Sequence, residues 1–324
     1  YMNNILILDT SCGSLNKGDE IIMECVSTEL SFVLKDNFEL NLPTHIASFH
    51  WYQVARGLAR IRTYEECVLK FVGGTNLLVK DMFTYYPQWN INLMNCRPFT
   101  GSILVGVGAG AGDSSNFYTR LLYRRVLSHE YIHSVRDERS KEYVESLGLK
   151  AINTGCVTMW AFTPEFCRQI PVNKSNNVIF TVTASSKPDH KDQVMVDTLL
   201  KMYDKVFFWP QGYNDYAYLK SLKHTENIHI IQATKEAYDR FLSSHETDYV
   251  GTRLHGGIYA MRHRKRAVIL AIDERALGIH QSNNLNCLTK ERIGELESYL
   301  AGPIATKISM PAEQIQVWKN QFIQ

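Results

Sequence analysis

The chain reads as an α/β protein of two domains, each built on a parallel sheet, with a ligand cleft between them. Three observations predict this. Short apolar, β-rich runs alternate with helical patterns from the first residues onward, which is the signature of βαβ units. Both halves show the alternation, and no solenoid-period repeat or low-complexity tract interrupts it. The length of 324 residues fits one large or two medium domains and buries ample surface without disulfides or metal.

In the first half, residues 5–8, 38–42, 67–72, 103–107, 131–135 and 149–152 read as strands. Between the first two lies a helix over residues 19–33, where Ile22, Val26, Leu30 and Val33 recur at three- and four-residue spacing and make one apolar stripe. Thr163-Pro164-Glu165 opens a helix, with Thr as N-cap, Pro in the first turn and an acid beside it. The polar stretch 172–177 follows, and the domain boundary is expected there, giving domains 1–172 and 173–310. Strands at 178–182, 206–208, 228–231, 249–250 and 267–272 repeat the theme. In the remaining segment, 311–324, Pro311 opens a helix placing Ile315, Trp318 and Phe322 on one face, expected to fold back across the domains.

Charge and cysteine content exclude several classes. With 35 Lys+Arg against 33 Asp+Glu, the net charge of +2 leaves no body-wide basic surface for nucleic acid, and none is expected as a partner. No run approaches the ~20 apolar residues that span a bilayer, and the amino terminus lacks the basic start and small-residue site of a secretory signal. Seven scattered cysteines, never spaced C-x-x-C, argue against a disulfide framework or zinc knot. A cytoplasmic protein follows as the expectation.

Three motifs are weaker than they look. His129-Glu130-Tyr131-Ile132-His133 has the spacing of a zinc-protease helix, but its aromatic and β-branched residues read as a strand, and no metal is expected. The glycine-rich run from Gly106 to Gly112 follows a strand as a dinucleotide-binding turn would, yet Ala111 holds the third glycine position and no acid follows at the right distance. The basic run at 262–266 follows a helical segment, whose carboxyl end its charges would complement.

The informative constellation is Asp248-Tyr249-Val250-Gly251-Thr252-Arg253-Leu254-His255-Gly256-Gly257. A short strand runs through glycine into an apolar helix, a turn that aims backbone N–H groups and the positive dipole end outward. Arg253 adds a planar fork for phosphate or carboxylate, and His255 a group that exchanges a proton near neutral pH. Arg136 lies at another strand end, either facing the cleft or paired with a neighbouring carboxylate. Asn16-Lys17-Gly18-Asp19 is a polar loop after the first strand whose Asn and Asp could bind sugar hydroxyls, Asp19 alternatively capping the next helix. Val72-Gly73-Gly74-Thr75-Asn76 repeats that arrangement.

In order and spacing, Asn16-Lys17-Gly18-Asp19, Gly73-Gly74, Arg136-Asp137-x-x-Ser140 with Gly148, Thr154-Gly155, and Gly251-Thr252-Arg253-Leu254-His255 followed by the 267–273 segment resemble the polysaccharide pyruvyl transferase family from about residue 5 to 280. The resemblance implies two Rossmann-like domains in a GT-B-like arrangement, the first on the acceptor side and the second on the donor side. It implies transfer of a pyruvyl group from phosphoenolpyruvate to a sugar, forming a ketal. On that basis Arg136, Arg253, Leu254 and Arg275 are expected to bind donor, and Asn16, Gly18, Gly73 and Gly74 to bind acceptor. His255 is the expected acid and Asp19 the expected base, with no cofactor beyond phosphoenolpyruvate itself.

The expected partners are a sugar or lipid-linked oligosaccharide of exopolysaccharide biosynthesis, with at most peripheral association at the inner face of the membrane; an oligomer is left open. Competing expectations on the same architecture are a nucleotide-sugar glycosyltransferase and an inactive carbohydrate-binding relative. Three departures from the family pattern stand out: Cys156 where it has Asp, Arg275 where it has Lys, and Thr75 in place of a third glycine.

Overall fold

The computed structural model describes residues 2–110, 112, 114–272 and 274–323, with the side chains of Glu274 and Arg275 outside the description. The chain forms two compact units. Residues 1–14, 22–160 and 311–324 make the first, and residues 15–21 with 161–310 make the second. Polar composition had pointed to a changeover at 172/173. Residues 161–172 instead count with the second unit, where Arg264 donates to Gln169 and stacks on Phe166, and the Val172 carbonyl accepts from the Ile304 amide.

In the first unit the strands are β1 (Asn4–Asp9), β2 (Phe38–Pro43), β3 (Leu69–Val72), β4 (Thr75–Leu78), β5 (Ser102–Leu104), β6 (Val107–Ala109), β7 (His133–Val135) and β8 (Ala151–Asn153). They pair in parallel in the orders β2-β1-β3-β5 and β4-β6-β7-β8. Because β3 continues into β4 and β5 into β6, the two sheets form one layer broken at two neighbouring places. Both breaks are made by glycine. A Cβ on Gly73 would strike the Met23 sulfur, one on Gly74 would lie 3.1 Å from the Gly106 carbonyl, and Gly106 itself has φ of +62°. The expected continuous strand over 103–107 is therefore two strands.

Residues such as Leu8, Val72, Leu104 and Val126 pack the core of this unit. The carboxy-terminal helix Ala312–Asn320 belongs to it, with fully buried Trp318 against Phe71 and Trp160 and its indole N–H donating to the Ile132 carbonyl at 2.8 Å. Sequence periodicity identified that face but not where it packs.

In the second unit β9 (Asn177–Thr181), β10 (Lys205–Phe208), β11 (His229–Ile230), β12 (Asp248–Gly251), β13 (Ala267–Ala271) and β14 (Cys287–Thr289) form one parallel sheet in the order β11-β10-β9-β12-β13-β14. This is the doubly wound order whose direction reverses between β9 and β12, and ligands of such sheets sit outside the carboxyl ends of the strands at that reversal. Val178, Phe180, Val250, Val268 and Leu270 are buried, as strands covered on both faces require.

The basic run at 262–266 is not a helix-end cluster throughout. Arg262 ends the helix Leu254–Arg262, whereas Arg266 is 1% exposed and pairs with Asp248 at 2.7 Å while donating to the Leu300 and Gly302 carbonyls. Burial without water forces that pairing. His129 lies in a bend, and β7 begins only at His133, so the H-E-x-x-H spacing falls on no helix.

Candidate active site

At the carboxyl end of β12 the backbone passes close to β9: a Cβ on Gly251 would lie 2.7 Å from the Thr181 carbonyl oxygen. The turn is tied down by the Tyr249 hydroxyl, which donates to the Arg253 carbonyl at 2.7 Å and meets the Thr181 hydroxyl at 2.6 Å. The helix Leu254–Arg262 then begins with His255, 6% exposed, in its first turn. Leu254 is also buried, at 4%, so its side chain belongs to the core.

Arg253 is held by a residue not singled out in the sequence. Asp215, fully buried, accepts from Arg253 Nε at 2.9 Å and Nη2 at 2.5 Å, and from the backbone amides of Gly212 at 2.6 Å and Ala184 at 3.2 Å. The guanidinium lies against Gly212, where a Cβ would come within 2.9 Å of Arg253 Cζ. The pair engages the Nε and Nη2 edge of the fork, and the Nη1 edge is the one an anionic ligand would take. A cavity of 530 Å³ is lined by Ser185, Lys187, Asn214 and Tyr218 among others, and includes Ala184, whose amide donates to Asp215, but no residue of the β12 turn itself. That volume suits a small ligand.

The loop Leu15–Gly18 belongs to the same unit. Asn16 forms an antiparallel bridge with Gly212, and its side-chain oxygen accepts from the Gly18 amide at 3.0 Å. Asn16, rather than Asp19, thus satisfies the first amide of the helix Gly18–Glu29, and Asp19 sits buried in the first turn. A Cβ on Gly18 would lie 3.4 Å from His255 Cβ, so the structure brings the Asn16–Gly18 loop and His255 together.

In the first unit Arg136, at the end of β7, is braced in the same manner. Its Nε donates to Asp137 at 3.1 Å, its Nη2 to the Asn76 side chain, and it lies against Gly108. The Asp137 carboxyl also caps the helix Glu138–Ser146 through the Ser140 amide at 2.8 Å. Burial alone would raise its pKa, but the bonds from Ser140 and the Arg136 charge hold it below the ordinary carboxylate value. Of the two readings of Arg136, the pair with a neighbouring carboxylate is the one present.

Gly73 and Gly74 are buried at the break between β3 and β4, where packing requires glycine. Thr75, which follows, has φ of +107°, a strained backbone for a β-branched residue. Ala111 and the side chain of Arg275 lie outside the description. Among the described residues no helix is long and apolar enough to cross a membrane.

The chain is similar in fold to solved UDP-GlcNAc 2-epimerases. That from Methanocaldococcus jannaschii is 12% identical with a TM-score of 0.55 over 99% of each chain. That from Rickettsia bellii is 12% identical with a TM-score of 0.51, covering 100% of this chain and 96% of that one. The likeness shows a GT-B-like α/β fold. No curated protein matches. The family model for polysaccharide pyruvyl transferase matches residues 16–274, a stretch that begins at the Asn16 loop and takes in Arg136, Arg253 and His255, and the chain belongs to that family.

Proposed function

We propose that the protein transfers the pyruvyl group of phosphoenolpyruvate to two hydroxyls of a sugar in a cell-surface polysaccharide or its precursor, forming a pyruvate ketal and releasing phosphate. The observation that carries this reading is the β12 turn: a braced Arg253 fork, one edge engaged by Asp215, beside His255 in the first turn of a helix at the sheet reversal. Fixed cations and a helix amino terminus suit a donor bearing carboxylate and phosphate.

In the proposed reaction His255 protonates the methylene carbon of the donor while one sugar hydroxyl adds to the adjacent carbon, its proton passing to Asp19. Phosphate then leaves, taking the proton held by Asp19, and a second hydroxyl attacks the resulting oxocarbenium carbon to close the ketal, its proton passing to His255 and restoring the acid. Asn16 and Gly18 are the proposed acceptor contacts, and Arg136 is proposed as a further donor-binding cation. General acid catalysis is typically worth about 10²- to 10⁴-fold.

The test is phosphate release from phosphoenolpyruvate over a panel of sugars, with thermal shift reporting donor binding. His255→Ala should keep the shift and lose about 10²-fold or more in turnover, while Arg253→Ala and Arg136→Ala should weaken the shift itself. Wild-type turnover by the His255 variant would sink the assignment. Stabilisation by a nucleoside diphosphate, but not by phosphoenolpyruvate, would favour a nucleotide-sugar glycosyltransferase instead.

A further inference from the structure

Gln211, just beyond β10, lies at the meeting of the two motifs assigned above to acceptor and acid. Its backbone carbonyl accepts from the Lys17 amide at 2.8 Å, and the neighbouring Tyr213 amide donates to the Leu15 carbonyl at 2.9 Å. Its side-chain amide donates to Asn16 Oδ1 at 2.9 Å, the same oxygen that takes the Gly18 N–H. The carboxamide also lies against both following helices. A Cβ on Gly18 would come within 2.8 Å of Gln211 Nε2, and one on Gly256 within 2.7 Å of Gln211 Oε1. One side chain therefore borders both the glycine of the Asn16-Lys17-Gly18 loop and the glycine that follows His255.

The second observation is a cost. Gln211 is 2% exposed, and its Oε1 has no hydrogen-bond partner among the described residues. An unpaired buried carbonyl is destabilising, and a methionine of similar shape would fill the space without it. A residue serving packing alone would not need this group.

We infer that Gln211 is a positioning residue: it orients the Asn16 carboxamide and the Gly18 turn against the helix that carries His255, and so sets the acceptor sugar relative to the acid. The inference rests on the reading of Asn16 and His255 given above.

The test is Gln211→Met, measured in two independent ways. With phosphoenolpyruvate and a panel of methyl hexosides, KM for the sugar should rise about tenfold at unchanged KM for phosphoenolpyruvate, a difference of about 1.4 kcal/mol. The Asn16→Ala/Gln211→Met double variant should be no worse than Asn16→Ala alone. Hydrogen exchange at the Lys17 and Gly18 amides should quicken about tenfold while the melting temperature holds or rises.

Unchanged sugar KM, or additive losses in the double variant, would overturn the inference. If the wild-type protein releases no phosphate from phosphoenolpyruvate, the functional reading fails, and exchange alone then decides the role of Gln211: unchanged protection at Gly18 overturns it.

Discussion

Asp215 offers the sharpest test of how the site is built. Its carboxylate receives four N–H groups, two from Arg253 and two from backbone, and it has no exposure to water. In Asp215→Asn one oxygen becomes an NH2 facing two donors, so two bonds are lost and Arg253, only 19% exposed, is left without its counter-charge. Breaking such a pair costs about 3–5 kcal/mol, or roughly 6–20 °C in melting temperature at about 2–4 °C per kcal/mol. The assay is urea unfolding of Asp215→Asn, Arg253→Met and the double variant. Because most of the loss comes from the stranded cation, the double variant should be more stable than Asp215→Asn alone. Additivity within about 0.5 kcal/mol, or a single-variant loss below about 1 kcal/mol, would refute the reasoning.

The other predictions concern the first unit. His133 is fully buried, accepts from the Leu104 amide at Nδ1 and donates from Nε2 to the Ser128 carbonyl; desolvation lowers its pKa from 6.5 to about 4. A depressed pKa contributes stability that is full above pH 6.5 and lost as pH falls through about 4. The gap is worth about 3 kcal/mol, so urea midpoints should fall across that window in wild type and less steeply in His133→Gln; equal slopes would count against it. Thr75→Gly should stabilise by up to about 2.5 kcal/mol, strain relief of about 1–3 set against about 0.5–1 of glycine entropy, as read by denaturant midpoint, and a loss of stability would refute the strain. Arg136→Lys should keep the fold but weaken the thermal shift given by phosphoenolpyruvate about as much as Arg136→Ala, because a point charge does not replace the fork.

The strands were legible wherever buried β-branched runs are long enough to stand out, as in β9 and β13. The register of β4 was not: Thr75-Asn76-Leu77-Leu78 has no alternation of its own and becomes a strand only because β6 lies beside it. The break at Gly106 was hidden inside an apolar run, since a positive φ leaves no mark on hydrophobicity. Arg253, His255 and Asn16 could be proposed from strand-end motifs, whereas Gln211 and Asp215 could not. Their partners are 195 and 38 residues away in sequence, and only folding brings them together. The signal that could have found them is the turn-rich run Trp209-Pro210-Gln211-Gly212-Tyr213-Asn214-Asp215 directly after a strand, where buried polar residues hold loops in place. The basic run misled because charge density says nothing about burial: Arg266 is an interior ion pair.

The docking of Ala312–Asn320 on the first unit has a consequence for biosynthesis. Domains commonly fold in the order they leave the ribosome. Here Phe71 of β3 packs on Trp318 and Phe322, so the first-made unit stays incomplete until the helix Ala312–Asn320 has been translated. The second unit, finished by residue 310, has its full complement of strands sooner. Until then Phe71 and Trp160 await their partners, and a nascent chain stalled before residue 318 would present them to chaperones.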